Sequence, residues 1–220
     1  MLQVSKQIVL MMEFLQSHTV LLVIITSLVS IAAWKHPPLL HRLIMWPPVV
    51  RQRGQYDRFV THGFVHGDGW HLLFNMVTLF FFGRAIEEFY RPYLAGMGFA
   101  LFYVSAIVVA MLPSYLKHKN DIRYLSLGAS GAVSAVLFAY ILFAPWNLIF
   151  VFFIPIPAIV FAVLYTAYTL YAQRRGNDGI NHSAHLWGAA YGIAVTIAIE
   201  PSILLHFAHH LMNPRLPFFN

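Results

Sequence analysis

The chain has 220 residues, of which 59% are hydrophobic, 10% are charged and none is cysteine. Charged residues make up roughly a quarter of a soluble domain, so this composition indicates an integral membrane protein. The lack of cysteine excludes disulfides and thiolate chemistry, so a covalent mechanism would have to use serine. The net charge of +6 comes from basic residues between apolar runs, which is typical of interfacial anchors and argues against nucleic-acid binding.

Six apolar runs approach the roughly 20 residues that a helix needs to cross a bilayer core. The first run lacks the basic flank and the small-residue cleavage site of a signal peptide, so we expect it to remain as a helix. The predicted fold class is an all-α membrane protein with six transmembrane helices that form one domain over 1–220. The runs are Ser17–Trp34, Trp70–Glu88, Pro92–Lys117, Ser130–Asn147, Leu148–Ala172 and Ala184–Leu205.

The connections between the runs differ in length and chemistry. The first, 35–69, combines paired prolines with tryptophans and arginines, so we expect it to lie in the membrane interface. The third is expected at Pro113–Leu127, the fourth is a tight turn near Ala144–Asn147, and the fifth, 173–183, has turn residues. With six spans, the odd-numbered connections share one side and hold most of the basic residues. The positive-inside rule alone would place them in the cytosol.

A single serine stands between glycines where the fourth run begins, within Gly128–Gly131. A serine hydroxyl becomes a good nucleophile only when a base takes its proton, and histidine suits that role near neutral pH. His185, at the start of the sixth run, is the candidate base for Ser130. Small residues allow two helices to approach closely. They are Gly131 on the fourth run and Gly188 and Gly192 on the sixth.

The rest of a predicted acyl-transfer site lies outside these two runs. The nearest carboxylate, Asp178, is in the fifth connection, so a Ser–His dyad is favoured over a triad. Acyl transfer also needs hydrogen-bond donors for the developing oxyanion. His71 and Asn75 are four residues apart at the start of the second run and share one helix face. Together with the backbone N–H of Ser130, they are the predicted donors.

Each of these residues also has a structural interpretation. A serine between glycines in a membrane helix is commonly a packing residue, and a histidine at a helix end commonly lies in the membrane interface. Asn75 could form a hydrogen bond between helices. The 12 histidines leave a metal site, or a metal or proton transporter, as an alternative. Catalysis is favoured because polar residues recur at the entrances of three helices. The clusters with metal-like spacing are His62, His66, Asp68 and His71, and His206, His209 and His210.

Taken together, these motifs resemble the rhomboid family of intramembrane serine proteases over essentially the whole chain. The family pattern Gly-x-Ser-Gly appears at Gly128–Gly131, His-x-x-Gly-x-x-x-Gly at His185–Gly192, and His-x-x-x-Asn at His71–Asn75. The resemblance implies that Ser130 is the nucleophile, His185 the general base, and His71 and Asn75 oxyanion donors. It also implies a structural role for one acidic residue and a supporting role for four glycines. These are Glu87, Gly128, Gly131, Gly188 and Gly192.

The resemblance also implies the activity. We expect an intramembrane serine endopeptidase that cleaves transmembrane segments of membrane-protein substrates, with no cofactor, and with the lipid bilayer and its substrates as partners. The alternative is a noncatalytic rhomboid-like membrane binding protein or chaperone. The implied location is the bacterial inner membrane, with the active site open to the outside, the first loop at 35–69 and a cap loop at 173–183.

The chain departs from the family pattern at two points. Asp57-Arg58 stands where the family often has Trp-Arg, although Arg58 and His66 still resemble positions that shape the first loop. Ser134 stands where some members have a tyrosine that stacks on the catalytic histidine. The sequence alone therefore does not identify what orients His185.

Overall fold

The computed structural model describes residues 16–151, 153–176 and 178–214, which are mainly helical. The helices are α1 His18–Lys35, α2 Pro37–Leu43, α3 Pro47–Arg53, α4 Arg58–Thr61, α5 Gly69–Tyr90, α6 Gly98–His118, α7 Ser130–Phe143, α8 Ala158–Arg175, α9 His182–Ile199 and α10 Ile203–Met212. Two strands, β1 Leu148–Val151 and β2 Ile154–Pro157, and two short 3-10 helices, His62–Phe64 and Leu94–Gly96, complete the described elements.

Each of the six predicted runs overlaps a helix of 14 to 22 residues, but the count of six membrane spans is not confirmed. In the described part of the chain, α1 and α6 are long and apolar enough to cross a membrane. A third span results if α9 and α10, which meet at a bend of 114°, are counted as one. Helix α7 is apolar but has only 14 residues. The structure therefore supports a helical membrane protein with two or three candidate spans.

The predicted fourth and fifth runs differ from the observed elements. Helix α7 ends at Phe143 rather than Asn147, because Pro145 disfavours the helical conformation of the residue before it. The fifth run begins as a hairpin in which β1 pairs antiparallel with β2. Pro155 and Pro157 interrupt any helix in this segment, and α8 starts at Ala158. The prediction of a continuous helix over Leu148–Ala172 was therefore wrong in its first ten residues.

The third and sixth runs also have different ends. Helix α6 begins at Gly98, after a 3-10 turn, and continues through Pro113 to His118. The third connection therefore starts after His118 and not at Pro113. Helix α9 ends at Ile199, and the chain turns at Pro201 before α10 begins. The sixth run is therefore two helices, because proline cannot donate the next helical hydrogen bond.

Contacts within the chain group it into two compact units. The first reaches to Ser105 and includes Lys119–Ala129, and the second comprises Ala106–His118 and the residues from Ser130 onward. In the first unit, the carboxylate of Glu87 on α5 caps the N-terminus of α1. It accepts hydrogen bonds from the Ser17 hydroxyl (2.6 Å), the His18 N–H (2.6 Å) and the Thr19 N–H (3.1 Å). These N–H groups have no acceptor within their own helix, so Glu87 satisfies them from a neighbouring one.

The first loop is built from short helices held by a buried arginine. Arg58 is 4% exposed, and its guanidinium donates to the carbonyl oxygens of His41 (2.9 Å) and Ile44, and to the Gln55 side chain (2.7 Å). A buried charge has to be compensated by such hydrogen bonds. Arg58 therefore ties the end of α2 to α4. Next to it, Asp57 forms an ion pair with Arg42 (2.6 Å), which lowers the pKa of this carboxyl.

In the second unit, α7 is buried on nearly all sides and packs most closely against α9. A helix that is apolar on all sides has to be shielded from water, by other elements or by lipid. Helices α8 and α10 also contact α7. The prediction of a single rhomboid-like domain over 1–220 stays a prediction.

Candidate active site

Ser130 and His185 lie within hydrogen-bonding distance in the second unit. Ser130 is the first residue of α7, and His185 is in the first turn of α9. The Ser130 Oγ is 2.8 Å from the His185 Nε2, and both residues are partly buried. In this arrangement the hydroxyl can donate to an unprotonated Nε2, as a nucleophile and its general base require.

Close approach of α7 and α9 makes this contact possible. A Cβ atom on Gly188 would overlap the carbonyl oxygen of Gly131, and one on Gly192 would overlap the carbonyl oxygen of Ala135. A Cβ on Gly131 would come within 2.7 Å of the Ala110 Cβ. Three of the four glycines predicted to support the site therefore lie where neighbouring helices are in contact and no side chain fits.

The ring of Tyr165, on α8, faces the imidazole of His185. The ring centroids are 6.2 Å apart with an interplanar angle of 20°, which is an offset stack. The Tyr165 hydroxyl is 2.8 Å from the Ser134 hydroxyl on α7. Ser134 stands where some rhomboids have the stacking tyrosine, and here it hydrogen-bonds to a tyrosine from another helix. Sequence analysis missed Tyr165, and the available signal was the pair Tyr165 and Tyr168, which share a face of the fifth run.

If His185 acts as the predicted general base, we expect Tyr165→Ala to slow turnover by about two- to tenfold, because an aromatic pair contributes roughly 0.5–1.5 kcal/mol beyond burial. Tyr165→Phe keeps the ring and should have a smaller effect. Steady-state kinetics with a single-span substrate would measure both, with Tyr171→Ala as control, since Tyr171 is an exposed residue of the same helix. Equal rates for Tyr165→Ala and wild type would contradict a role for the stack.

In the first unit, His66 holds the backbone just before Ser130. The Ala129 N–H donates to His66 Nε2 (3.3 Å), so in the neutral ring Nδ1 carries the proton and donates to the Ser30 hydroxyl (3.1 Å). Ser30 in turn donates to the Phe64 carbonyl (3.1 Å). This chain of hydrogen bonds needs a neutral His66. Burial, assisted by the neighbouring His71, lowers the pKa of His66 to about 3.

Gly128 lies in the same backbone segment, just before Ser130. Its φ of +113° is unfavourable for residues with a side chain, and a Cβ there would lie 2.7 Å from Cε1 of His71. The Gly128 N–H donates to the His62 carbonyl (2.9 Å). The glycine therefore allows the chain to pass the His71 ring two residues before Ser130.

Protonation of the buried histidines predicts an acid-sensitive fold. Burial lowers the pKa of His62 to about 4 and, with His71, that of His66 to about 3, against about 6.5 in an unfolded chain. The unfolded state therefore takes up protons first, so stability is full above pH 6.5 and falls as the pH drops toward 4. The expected loss is up to about 1.4 kcal/mol per pH unit for each histidine.

Thermal unfolding between pH 7.5 and pH 4.5 would measure this dependence. His66→Gln keeps a donor and an acceptor but does not titrate, so it should remove about half of the slope expected from the two histidines. An unchanged slope in this variant would show that His66 does not cause the acid sensitivity.

His71 and Asn75 belong to the first unit, at the start of α5. The His71 N–H donates to the helix-capping Asp68 (2.9 Å), and the Asn75 amide donates to the His71 carbonyl (2.8 Å). Asn75 is buried and His71 is partly buried. Their role as oxyanion donors stays a prediction.

The histidine clusters do not form a metal site in the described part of the chain, where no group of three or more potential ligands could hold an ion. Nδ1 of His62 is hydrogen-bonded to the Arg58 carbonyl (2.9 Å), and both ring nitrogens of His66 are engaged as described above. His206 and His210 pack with ring centroids 4.3 Å apart, and His206 Nε2 lies 2.9 Å from the Phe143 carbonyl.

Comparison with known proteins identifies a matching protein family. A family model described as Rhomboid domain matches residues 53–201, more than half of the chain. RHOMBOID-like protein 12, mitochondrial, of Arabidopsis thaliana is 34% identical over 151 residues, which cover 62% of this chain and 44% of the relative. The putative rhomboid protease YdcA of Bacillus subtilis strain 168 is 27% identical over 107 residues, covering 46% of this chain and 51% of the relative.

A third relative, the rhomboid protease GlpG of Enterobacter sp. strain 638, is 32% identical over 98 residues, covering 43% of this chain and 31% of the relative. The chain thus spans about half or less of the length of these curated relatives.

Proposed function

We propose, because the chain belongs to the rhomboid family, that it is an intramembrane serine endopeptidase which cleaves transmembrane segments of membrane proteins. The observation that carries this proposal is the 2.8 Å separation of Ser130 Oγ and His185 Nε2. Two of the relatives are named as a rhomboid protease and a putative rhomboid protease. Ser130 and His185 would act as a dyad.

The proposed reaction begins with proton transfer from Ser130 Oγ to His185 Nε2 as the oxygen attacks a substrate carbonyl carbon. The carbonyl oxygen becomes an oxyanion, for which the Ser130 N–H and the side chains of His71 and Asn75 are the proposed donors. Ser130 begins α7, so its N–H has no acceptor within that helix. The imidazolium then gives its proton to the leaving amine, and the acyl group remains on Oγ.

Water completes the cycle. His185 takes a proton from a water molecule as the water attacks the ester carbonyl. The imidazolium then returns this proton to the Ser130 oxygen, which leaves as the hydroxyl, and the carboxylic acid product is released. A substrate helix has to unwind first, because its backbone carbonyls are already hydrogen-bonded within the helix. We propose the connection between α8 and α9 as the cap that admits it. This connection was predicted at 173–183, but α8 continues to Arg175 and α9 begins at His182.

The second candidate is a rhomboid-like membrane binding protein that does not cleave. The name of the plant relative, RHOMBOID-like protein 12, does not include the word protease. Binding without cleavage would need the same pocket but no activated serine. The membrane in question also stays a prediction: the bacterial inner membrane was expected, whereas one relative is named as mitochondrial and two are from bacteria.

The test is to incubate the purified protein in liposomes with a single-span substrate and to locate any cut by mass spectrometry. A fluorophosphonate probe, which reacts with activated serines, would be applied in parallel. Cleavage within the span together with labelling of Ser130 would support the proposal. Substrate binding without cleavage or labelling would favour the binding protein.

A further inference from the structure

A carboxylate and a second histidine lie beside the Ser130–His185 pair. Oδ2 of Asp178 is 2.8 Å from Nε2 of His182, the first residue of α9. Its other oxygen accepts the Ile180 N–H (3.1 Å). The hydrogen bond from His182 lowers the pKa of the Asp178 carboxyl. Asp178 is exposed, whereas His182 is 4% exposed, so a solvent-facing carboxylate fixes a buried imidazole.

His182 is in turn packed against His185. The two rings are 6.0 Å apart between centroids and nearly perpendicular, at 78°. Tyr168 of α8 meets His182 in the same edge-to-face manner, at 5.9 Å and 80°. His182 and His185 are three residues apart on α9 and therefore neighbours on its surface. Tyr165 stacks on His185, so two different rings, from α8 and α9, contact the imidazole.

The orientation of His182 depends on Asp178. Its Nδ1 is buried and has no hydrogen-bond partner among the described residues. The Asp178 carboxylate can only accept a hydrogen bond, so the His182 Nε2 must carry a proton and donate it. The ring is therefore held by a single described hydrogen bond, and its loss would free the imidazole to rotate beside His185.

We propose that Asp178 and His182 form a positioning pair, which holds the imidazole of His185 in the orientation that accepts the proton of Ser130. This inference rests on the proposed function and deepens it. The pair does not touch the reacting atoms. It acts by limiting the rotation of the His185 ring, and Asp178 places this restraint in the connection between α8 and α9.

The competing explanation is that Asp178 only stabilises the connection. Asp121 is a matched control for this explanation. Its side chain is 40% exposed, against 39% for Asp178, and it lies in another connection, where it also accepts the N–H of the residue two positions later, that of Arg123 (3.0 Å). Asp121→Ala thus removes a similar side-chain-to-backbone hydrogen bond, in the other compact unit, and leaves the Asp178–His182 hydrogen bond in place.

The experiment measures two rates in the full chain in liposomes: fluorophosphonate labelling of Ser130, and cleavage of a single-span substrate. Asp178→Ala is expected to lower the labelling rate and kcat by about tenfold, the effect of losing one charge-assisted hydrogen bond, with KM unchanged. Asp178→Asn keeps an oxygen acceptor and should recover most of the loss. His182→Gln combined with Asp178→Ala should be no slower than the slower single variant.

Several contrary results would overturn the positioning role. Wild-type labelling and kcat in Asp178→Ala, an equal loss in Asp121→Ala, a change confined to KM, or no recovery in Asp178→Asn would each overturn the positioning role. Independent, multiplying losses for the two residues would also overturn it. If wild type itself is neither labelled nor active, the proposed function fails and the positioning role fails with it.

Discussion

Ser130→Ala is expected to abolish cleavage, with a loss of at least about 10⁴-fold, because it removes the atom that forms the acyl bond. His185→Ala should cause a loss of similar size, since the hydroxyl would keep its proton. The double variant should be no worse than either single one, because residues that act in one step do not contribute additively. Cleavage of a single-span substrate and fluorophosphonate labelling would measure all three.

The fold should be largely unaffected by these changes. The Ser130–His185 contact is one hydrogen bond, which contributes about 1 kcal/mol to stability. Ser105→Ala is a suitable control, because this serine hydroxyl donates to the Leu101 (2.6 Å) and Phe102 (3.0 Å) carbonyls of its own helix. Persistent cleavage at the wild-type rate in purified Ser130→Ala would rule out the proposed nucleophile.

Gly188→Ala is expected to destabilise the second unit and to separate Ser130 from His185. The added Cβ would overlap the Gly131 carbonyl oxygen, and a backbone atom cannot move away by changing rotamer. Helices α7 and α9 would have to separate, at a cost of about 1–3 kcal/mol or more. We therefore expect the unfolding temperature and the rate of fluorophosphonate labelling of Ser130 to fall together.

The control for this prediction is Gly69→Ala, the same chemical change at a helical glycine with no heavy atom within 4 Å of the added Cβ. Gly192→Ala should resemble Gly188→Ala, because its Cβ would overlap the Ala135 carbonyl on the same pair of helices. The two effects should be less than additive, since one separation relieves both overlaps. Wild-type stability and labelling in Gly188→Ala would contradict the packing described here.

The family and the helical character could be predicted from the sequence. The motifs around Ser130, His185 and His71 have fixed spacing along the chain, and the family they indicated is confirmed. Their spacing also indicated that Ser130 and His185 could meet, since small residues at Gly188 and Gly192 mark a close helix contact. The structure places the two side chains 2.8 Å apart.

Tyr165 and Asp178 show what the sequence could not provide. A contact between helices depends on how they are rotated about their axes, and hydropathy does not determine that rotation. Tyr165 was therefore one of several tyrosines in an apolar run. Asp178 was noted as the nearest carboxylate but was left out of the site because it lies in a connection. Their relation to His185 appears once α8 and α9 are placed in three dimensions.

The hairpin between α7 and α8 was missed for a different reason. Hydropathy is the same for an apolar strand and an apolar helix, so periodicity alone does not separate them. The relevant signal was available in Pro155 and Pro157, because alternate prolines disfavour a helix. It was interpreted as the start of a span.

If α7 crosses the membrane, as the six-span prediction requires, its shortness has a consequence for where the proposed chemistry takes place. At about 1.5 Å per residue, 14 residues extend roughly 21 Å, against a hydrocarbon thickness of about 30 Å. If Phe143 is level with one face of the hydrocarbon layer, an upright α7 places Ser130 about 9 Å below the opposite face. Such hydrophobic mismatch is relieved by thinning of the surrounding lipid or by a water-filled depression. Acyl chain length then sets how far water must travel to reach the serine.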